Sequence, residues 1–310
     1  MLLSRVADSL YWISRYLERA EHTARLVGVR LDLGLDRRPN SDGWEFSRIY
    51  EGLRLKMASE MPASATALVD AVVLDLANRE SVAAYVTSAR ENAQQVREEI
   101  SSEMWEQVNG LFLRMKQVRM DGTWGARPHY LSKLIIEGIH LFEGVTDATM
   151  GHGEGWHYLQ AGRFLERAEA TAALLDLHLR DRSTPAEWVG LLRSCCSLEA
   201  YCRHYTADIR PERIAEFLLL NADCPRSVRF AAARVETSLR AIGQLSGRAA
   251  GGAERLSGRL HATLDYGQVD EILSDDPHTY LDGIGHHCRQ IHQSIYQSFI
   301  AYPIESALPA

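Results

Sequence analysis

Residues 15–26 read RYLERAEHTARL and residues 163–174 read RFLERAEATAAL, so nine of twelve positions are identical at one offset, 148 residues from 15 to 163. Agreement of that length at a single offset marks an internal repeat. Around the first copy, Leu3, Val6, Leu10, Ile13, Leu17, Ala20, Ala24, Val27 and Leu31 step by three and four without a break. That spacing predicts one helix of about eight turns with a continuous apolar stripe. Tyr158, Ala161, Leu165, Ala168, Ala172, Leu175 and Leu179 continue the stripe around the second copy. Alanines at matching places, Ala20 with Ala168 and Ala24 with Ala172, leave room for another helix to come close.

Helix starts are legible elsewhere. Thr184-Pro185-Ala186-Glu187 has the form of a capping box with proline at the first helical position. Asp276-Pro277 reads as a cap before a last helix carrying Tyr280, Ile284, Ile291 and Ile295, and Asp223-Cys224-Pro225 as the opening of another. No alternating apolar–polar run is bounded by hairpin turns. The expected fold is all-α, a multi-helix bundle of roughly ten helices with short connections.

A weaker match supports the repeat. Leu74–Val82 aligns on Leu220–Val228 with three identities at an offset of 146 residues, nearly that of the first match. We therefore expect two tandem, pseudo-symmetric helical repeats, 1–150 and 151–310, joined at the glycine-rich Met150–Trp156 segment into one compact domain. A lone half would leave its apolar stripe exposed.

Composition narrows the function. The net charge of −7 argues against a general nucleic-acid binder. Of 34 basic residues only Lys56, Lys116 and Lys133 are lysines, which fits a bias of composition or anion recognition by guanidinium groups. The five cysteines are odd in number and contain no Cys-x-x-Cys, so reduced structural thiols are expected. Arg5 and Asp8 break the apolar start of the chain, and no apolar stretch approaches the ~18 residues of a membrane span. The expectation is a cytoplasmic protein without membrane contact.

The chemistry concentrates on the repeat. Tyr11, Arg15, Glu18, His22 and Arg25 form a second line on the first helix, opposite the apolar stripe, with Trp12 and Arg19 beside it. Tyrosine and tryptophan on a charged face predict that it meets a second layer or a wet cavity rather than open solvent. Arg15–Glu18 and Arg163–Glu166 have the spacing of pairs within one helix. Such pairs either fix how the halves meet or line a pocket in which arginines hold a carboxylate or phosphate and glutamates hold an amine. Glu137-x-x-His140 and Glu154-x-x-His157 have the spacing of di-iron carboxylate bundles. Folding about residue 151 would put Glu137 near Glu166 but strand Glu154 at the hinge, so no metal or other cofactor is expected. His286, His287 and His292 read as a packed polar face, and Ser246–Gly252 as a link between helices. No phosphate-binding loop or nucleophile elbow is present.

Leu3-Ser4-Arg5-Val6-Ala7-Asp8-Ser9-Leu10-Tyr11-Trp12, then Arg15-Tyr16-Leu17-Glu18-Arg19-Ala20-Glu21, and Glu154-Gly155-Trp156 ahead of Gly162-Arg163-Phe164-Leu165-Glu166-Arg167-Ala168, resemble the bacterial alpha-E domain family over the whole chain. His22 stands where that pattern leads us to expect Asn or Asp. The resemblance implies an all-helical protein encoded beside, or fused to, a circularly permuted ATP-grasp ligase, often near a transglutaminase-like peptidase. It therefore implies amide-bond formation on a small peptide or metabolite. The expected role is a helical accessory or substrate-binding subunit of such a ligase. The alternatives are a stand-alone enzyme using the paired Arg/Glu clusters for amide transfer, then a structural scaffold, with a metal-dependent bundle ranked below both. The candidate ligand-binding residues are Tyr11, Trp12, Arg15, Glu18, Arg19, Glu154, Trp156, Arg163, Glu166 and Arg167.

Overall fold

The computed structural model describes residues 2–35, 42–55, 62, 64–122, 128–180, 183–247 and 251–300. Fourteen α-helices and no strand form among these residues. The excess over the roughly ten expected comes from short helices, Ala65–Val69 and Val269–Ser274 among them, whose five and six residues are too few to show a period.

Two long helices form the centre, α1 (Ser4–Leu35) and α7 (Glu154–Arg180). Between residues 6 and 33 of α1, and between 154 and 179 of α7, no residue is exposed. A helix enclosed on all sides needs partners for its polar face as well as its apolar one. The apolar stripe supplies the core, with Leu10, Ile13, Ala20, Ala24, Leu165, Ala168 and Ala172 at 0–1% exposure. On the line that starts at Tyr11, Tyr11, Arg15 and Glu18 are buried and His22 and Arg25 half-buried, so the face opposite the stripe does meet a second layer.

Around α1 pack α4 (Val82–Gln95) and α6 (Pro128–Thr149), and α5 (Ser102–Asp121) packs on both of these. Around α7 pack α11 (Val228–Ser246) and α14 (Pro277–Ile295), and α12 (Gly252–Asp265) packs on both. The order of neighbours is the same in the two rings. The central helices lie along each other, and the two helices that follow them exchange neighbours: α8 (Pro185–Ser194) also packs on α1, and α2 (Asp42–Gly52) on α7. Gly162 lets α1 and α7 approach, since a Cβ there would strike the Tyr11 carbonyl oxygen and the Ser14 hydroxyl.

Local signals set the ends. The capping box at α8 forms, with Glu187 accepting from the Thr184 amide at 2.6 Å. Asp276 caps α14 through the amides of His278 and Thr279. The helix expected to open at Asp223-Cys224-Pro225 begins at Val228 instead, because the Ser227 hydroxyl accepts from the Phe230 amide and Asn221 holds the Asp223 and Cys224 amides in a turn. The glycine-rich segment breaks the chain between α6, which ends at Thr149, and α7, which starts at Glu154. Gly247, with φ of 66°, ends α11; residues 248–250 lie outside the described residues.

Candidate functional site

The repeated Glu-Arg step places a carboxylate and a guanidinium on the facing sides of α1 and α7. The pairs expected within each helix, Arg15–Glu18 and Arg163–Glu166, do not form. The arginines reach across instead. Arg15 donates Nε to Glu166 Oε2 at 2.7 Å, and Arg19 donates Nε to Glu166 Oε1 at 2.7 Å. In return Arg167 holds Glu18 bidentately, Nε to Oε1 and Nη2 to Oε2, both at 2.7 Å. Arg19–Glu166 and Arg167–Glu18 are the same pair seen from the two helices. Spacing alone misleads here because three residues along a helix and the gap between two packed helices place charged tips at similar separations. A buried carboxylate gains more from a fork aimed straight at it.

The rest of the network divides into a closed side and an open side. On the closed side Arg226, from the turn before α11, donates to Glu18 at 3.0 Å and to both oxygens of Glu21 at 2.7 and 2.6 Å. Glu21 also accepts from Arg25 and faces His140 at 3.2 Å, and these partners, Arg226 foremost, overcome burial to hold it well below the usual carboxylate range. Glu143 on α6 pairs with Arg163 at 3.4 Å and Arg167 at 3.7 Å. Glu18 and Glu21 are 2% and 0% exposed, and the Arg226 guanidinium fills the place beside them.

The open side carries a cavity of about 200 Å³ between α1 and α7, reached past the turn that ends α2 and the turn before α4. Arg19, Arg54, Glu80, Tyr85, Glu166 and Glu169 line it. Burial raises the Glu166 carboxyl, but Arg15 and Arg19 outweigh that and bring it to about 2. Glu169, the counterpart of Glu21, is held less tightly. Arg54 lies 3.5 Å away, Arg289 3.6 Å and Arg15 3.9 Å, and burial with Glu166 beside it pushes its carboxyl up. Burial pushes Tyr85 up to about 12, so it presents a neutral hydroxyl. His22 also lines the cavity. Burial lowers its ring, and its Nε2 has no hydrogen-bond partner among the described residues.

The candidates chosen from sequence therefore separate. Arg19 and Glu166 line the cavity. Arg15, Glu18 and Arg167 lie behind it in the ion-pair frame. Tyr11 is fully buried, 3.0 Å from His292 Nδ1 and stacked on that ring, while Trp12 lies under the guanidinium groups of Arg15 and Arg19. Arg163 borders a void of only about 20 Å³. Glu154 and Trp156 lie at the start of α7, about 18 Å of helix from Glu166, where Glu154 accepts from the Leu2 amide and Trp156 donates to Asp147. Glu137 does not approach Glu166; it pairs with Lys133 on the surface of α6.

Sequence reasoning missed Arg54, Glu80, Tyr85, Glu143 and Arg226. The signal for two of them was present, since the alignment of Leu74–Val82 with Leu220–Val228 sets Glu80 against Arg226. A larger hollow of about 470 Å³ lies by α6 and α8, where Asp32 meets His129 at 2.9 Å and Arg193 at 3.0 Å, and Lys133 pairs with Glu137. Among the described residues no helix is long and apolar enough to cross a membrane, and no three His, Cys, Asp or Glu side chains are grouped to hold a metal ion.

The chain is similar to the uncharacterized protein Rv2567 of Mycobacterium tuberculosis, 23% identical over 298 residues covering 86% of this chain and 33% of that protein. It is 22% identical, over the same shares, to the uncharacterized protein Mb2597 of Mycobacterium bovis. The chain thus spans about a third of the length of the curated relatives it matches. No solved structure matches it. A family model described as a predicted alpha-helical domain with a conserved ER motif matches residues 2–300, and with the Glu-Arg steps at Glu18-Arg19 and Glu166-Arg167 at its centre, the chain belongs to the Alpha-E family.

Proposed function

We propose that this chain is a helical substrate-binding subunit that works with an ATP-grasp-type amide ligase on a small peptide or metabolite. The observation that carries the reading is the contrast between the two sides of the Arg/Glu network: one is filled by its own side chains and the other is left as a cavity lined with charge. A rigid ion-paired frame beside an unfilled polar cavity suits holding and orienting a ligand. Two of the three carboxylates there, Glu166 and Glu169, are engaged by arginines, which favours binding over proton transfer at those positions. The greater length of the relatives fits a unit that acts together with other domains. Residues 1–150 and 151–310 act as two copies of one unit, with the crossing Glu-Arg pairs as their joint. The setting we assign is the cytoplasm, with a transglutaminase-like peptidase as a second partner.

The test is a pull-down from the native host followed by assay of the captured ligase. Amide product and ATP hydrolysis should depend on this chain, and the chain alone should yield neither. Amide transfer by the isolated chain, or a ligase unaffected by its presence, would overturn the reading. For Arg15, Glu18 and Arg167 a structural role is favoured by their burial and mutual saturation.

A further inference from the structure

The two turns that feed the network are built alike and end differently. Ser81 and Ser227 each cap the helix that follows, and each donates its hydroxyl to the carbonyl six residues back, Asp75 and Asn221 respectively. The residue before the serine is Arg226 in one turn and Glu80 in the other. Arg226 fills the closed side with its guanidinium. Glu80 leaves the matching place beside Glu166 and Glu169 empty, and it lines the cavity there.

The cavity's hydrogen-bonding capacity is only partly spent. Arg19 and Arg54 each bond a carboxylate through a single N–H, and Arg19 also bonds the Tyr85 hydroxyl, whereas a guanidinium carries five N–H groups. Arg167 and Arg226, on the closed side, make three bonds each. Glu80 is exposed at the rim and outside any ion pair among the described residues. Two backbone features aim Arg54. It adopts φ of 53°, a left-handed conformation unusual for a side-chain-bearing residue, and Gly285 clears its path, since a Cβ there would lie 2.9 Å from Arg54 Nη1. At about 200 Å³ the space falls below the roughly 300–1,000 Å³ that holds a drug-sized ligand, which sets the occupant near one amino acid in size.

We propose that this cavity binds a free α-amino acid as its zwitterion, with the ammonium group facing Glu80 and Glu169 where the other side places Arg226, and the carboxylate taken by Arg19 and Arg54. This assignment rests on the substrate-binding reading above and names the substrate class. A cation in that place completes the symmetry of the network, and the anion uses the spare arginine donors.

The test is titration calorimetry on the full chain with each of the twenty standard L-amino acids as probes. N-acetyl-L-alanine, L-alaninamide and inorganic phosphate serve as charge controls. At least one free amino acid should bind at one site per chain. Its N-acetylated and amidated forms should bind at least tenfold more weakly, and phosphate should not displace it. Arg54→Gln and Glu80→Gln should each weaken binding about tenfold without lowering the melting temperature. Glu80→Gln lies on the surface, so it tests the assignment even if Arg54→Gln fails to fold. No binding by any amino acid, equal binding of the capped forms, or occupation by phosphate instead would overturn the assignment. If amino acids fail to bind while the ligase still depends on the chain, only the ligand class falls. If an amino acid binds and no ligase responds, the ligand class stands and the partnership falls.

Discussion

Glu18→Gln separates a frame residue from a ligand-binding one. Glu18 is 2% exposed and accepts from Arg167 twice, at 2.7 Å, and from Arg226 at 3.0 Å. Glutamine keeps the shape, removes the charge and turns an amide N–H₂ toward one of the guanidinium groups. Arg226 retains Glu21 at 2.6 Å, but Arg167 is left with Glu143 at 3.7 Å. Removing one partner of a buried ion pair costs about 3–5 kcal/mol. Because one of the two arginines keeps a close carboxylate, we expect the lower end, about 3 kcal/mol. At ~2–4 °C per kcal/mol for a chain approaching this size, the melting temperature should fall by roughly 6–12 °C. Urea denaturation followed by circular dichroism and calorimetry measures both, with Glu80→Gln as the surface comparison, expected within about 0.5 kcal/mol of the parent. Adding Arg167→Met to Glu18→Gln should recover about half of the loss, since it removes the buried guanidinium that Glu18→Gln leaves without a close carboxylate. A cost under about 1 kcal/mol for Glu18→Gln, or no recovery in the double variant, would refute the frame role and return Glu18 to the ligand-binding set.

The same substitution should have opposite signs at two glycines. Gly162→Ala should destabilise by about 2–3 kcal/mol because its Cβ meets the backbone of α1, while Gly144→Ala, with nothing within 4 Å, should stabilise by about 1 kcal/mol through helix propensity; urea midpoints decide both. Stability should also fall in acid in two stages. His178 donates Nδ1–H to the Leu174 carbonyl and accepts from Arg30, so burial and Arg30 hold it neutral down to about 3. The unfolded chain takes up that proton below about 6.5, so stability declines from about pH 6.5 toward 3, and His178→Gln should flatten this stage in a pH series of melting curves. Glu166, lowered from 4.5 to about 2, contributes about 3 kcal/mol that is present above pH 4.5 and lost as the pH falls toward 2 (2.5 units at 1.36 kcal/mol each). A profile clearly shallower between pH 4.5 and 2 in Glu166→Gln than in the parent is the expected signature.

The fold was legible in the sequence where it depends on period and cap. The stripe from Val6 to Leu31, the matching stripe on α7, the helix break at 150–153 and the box at Thr184 all stand in the structure because helix geometry is local. The burial of the charged face was legible too, from Tyr11 and Trp12 lying among the arginines. Partner choice was not. Arg15 has Glu18 within reach on its own helix, yet Glu166 takes it, and only the approach of α7 decides that. Arg54 was invisible because its place in the cavity depends on a left-handed turn and on Gly285, more than two hundred residues away in the chain. The turn at Ser227 was misplaced by three residues because proline at 225 outweighed a serine cap in the reading.

The crossing ion pairs bear on how the molecule is made. α1 is synthesised before α7 and carries Arg15, Glu18, Arg19 and Glu21, whereas Glu166, Arg167 and Arg226 are about 150 to 210 residues further along. At roughly 5–20 residues per second, α1 waits on the order of ten to forty seconds for the charges that neutralise its inner face. During that interval the charged face of α1 has only water for a partner. That face therefore stays wet until α7 and the turn before α11 have been synthesised, and it dries only when Glu166, Arg167 and Arg226 arrive.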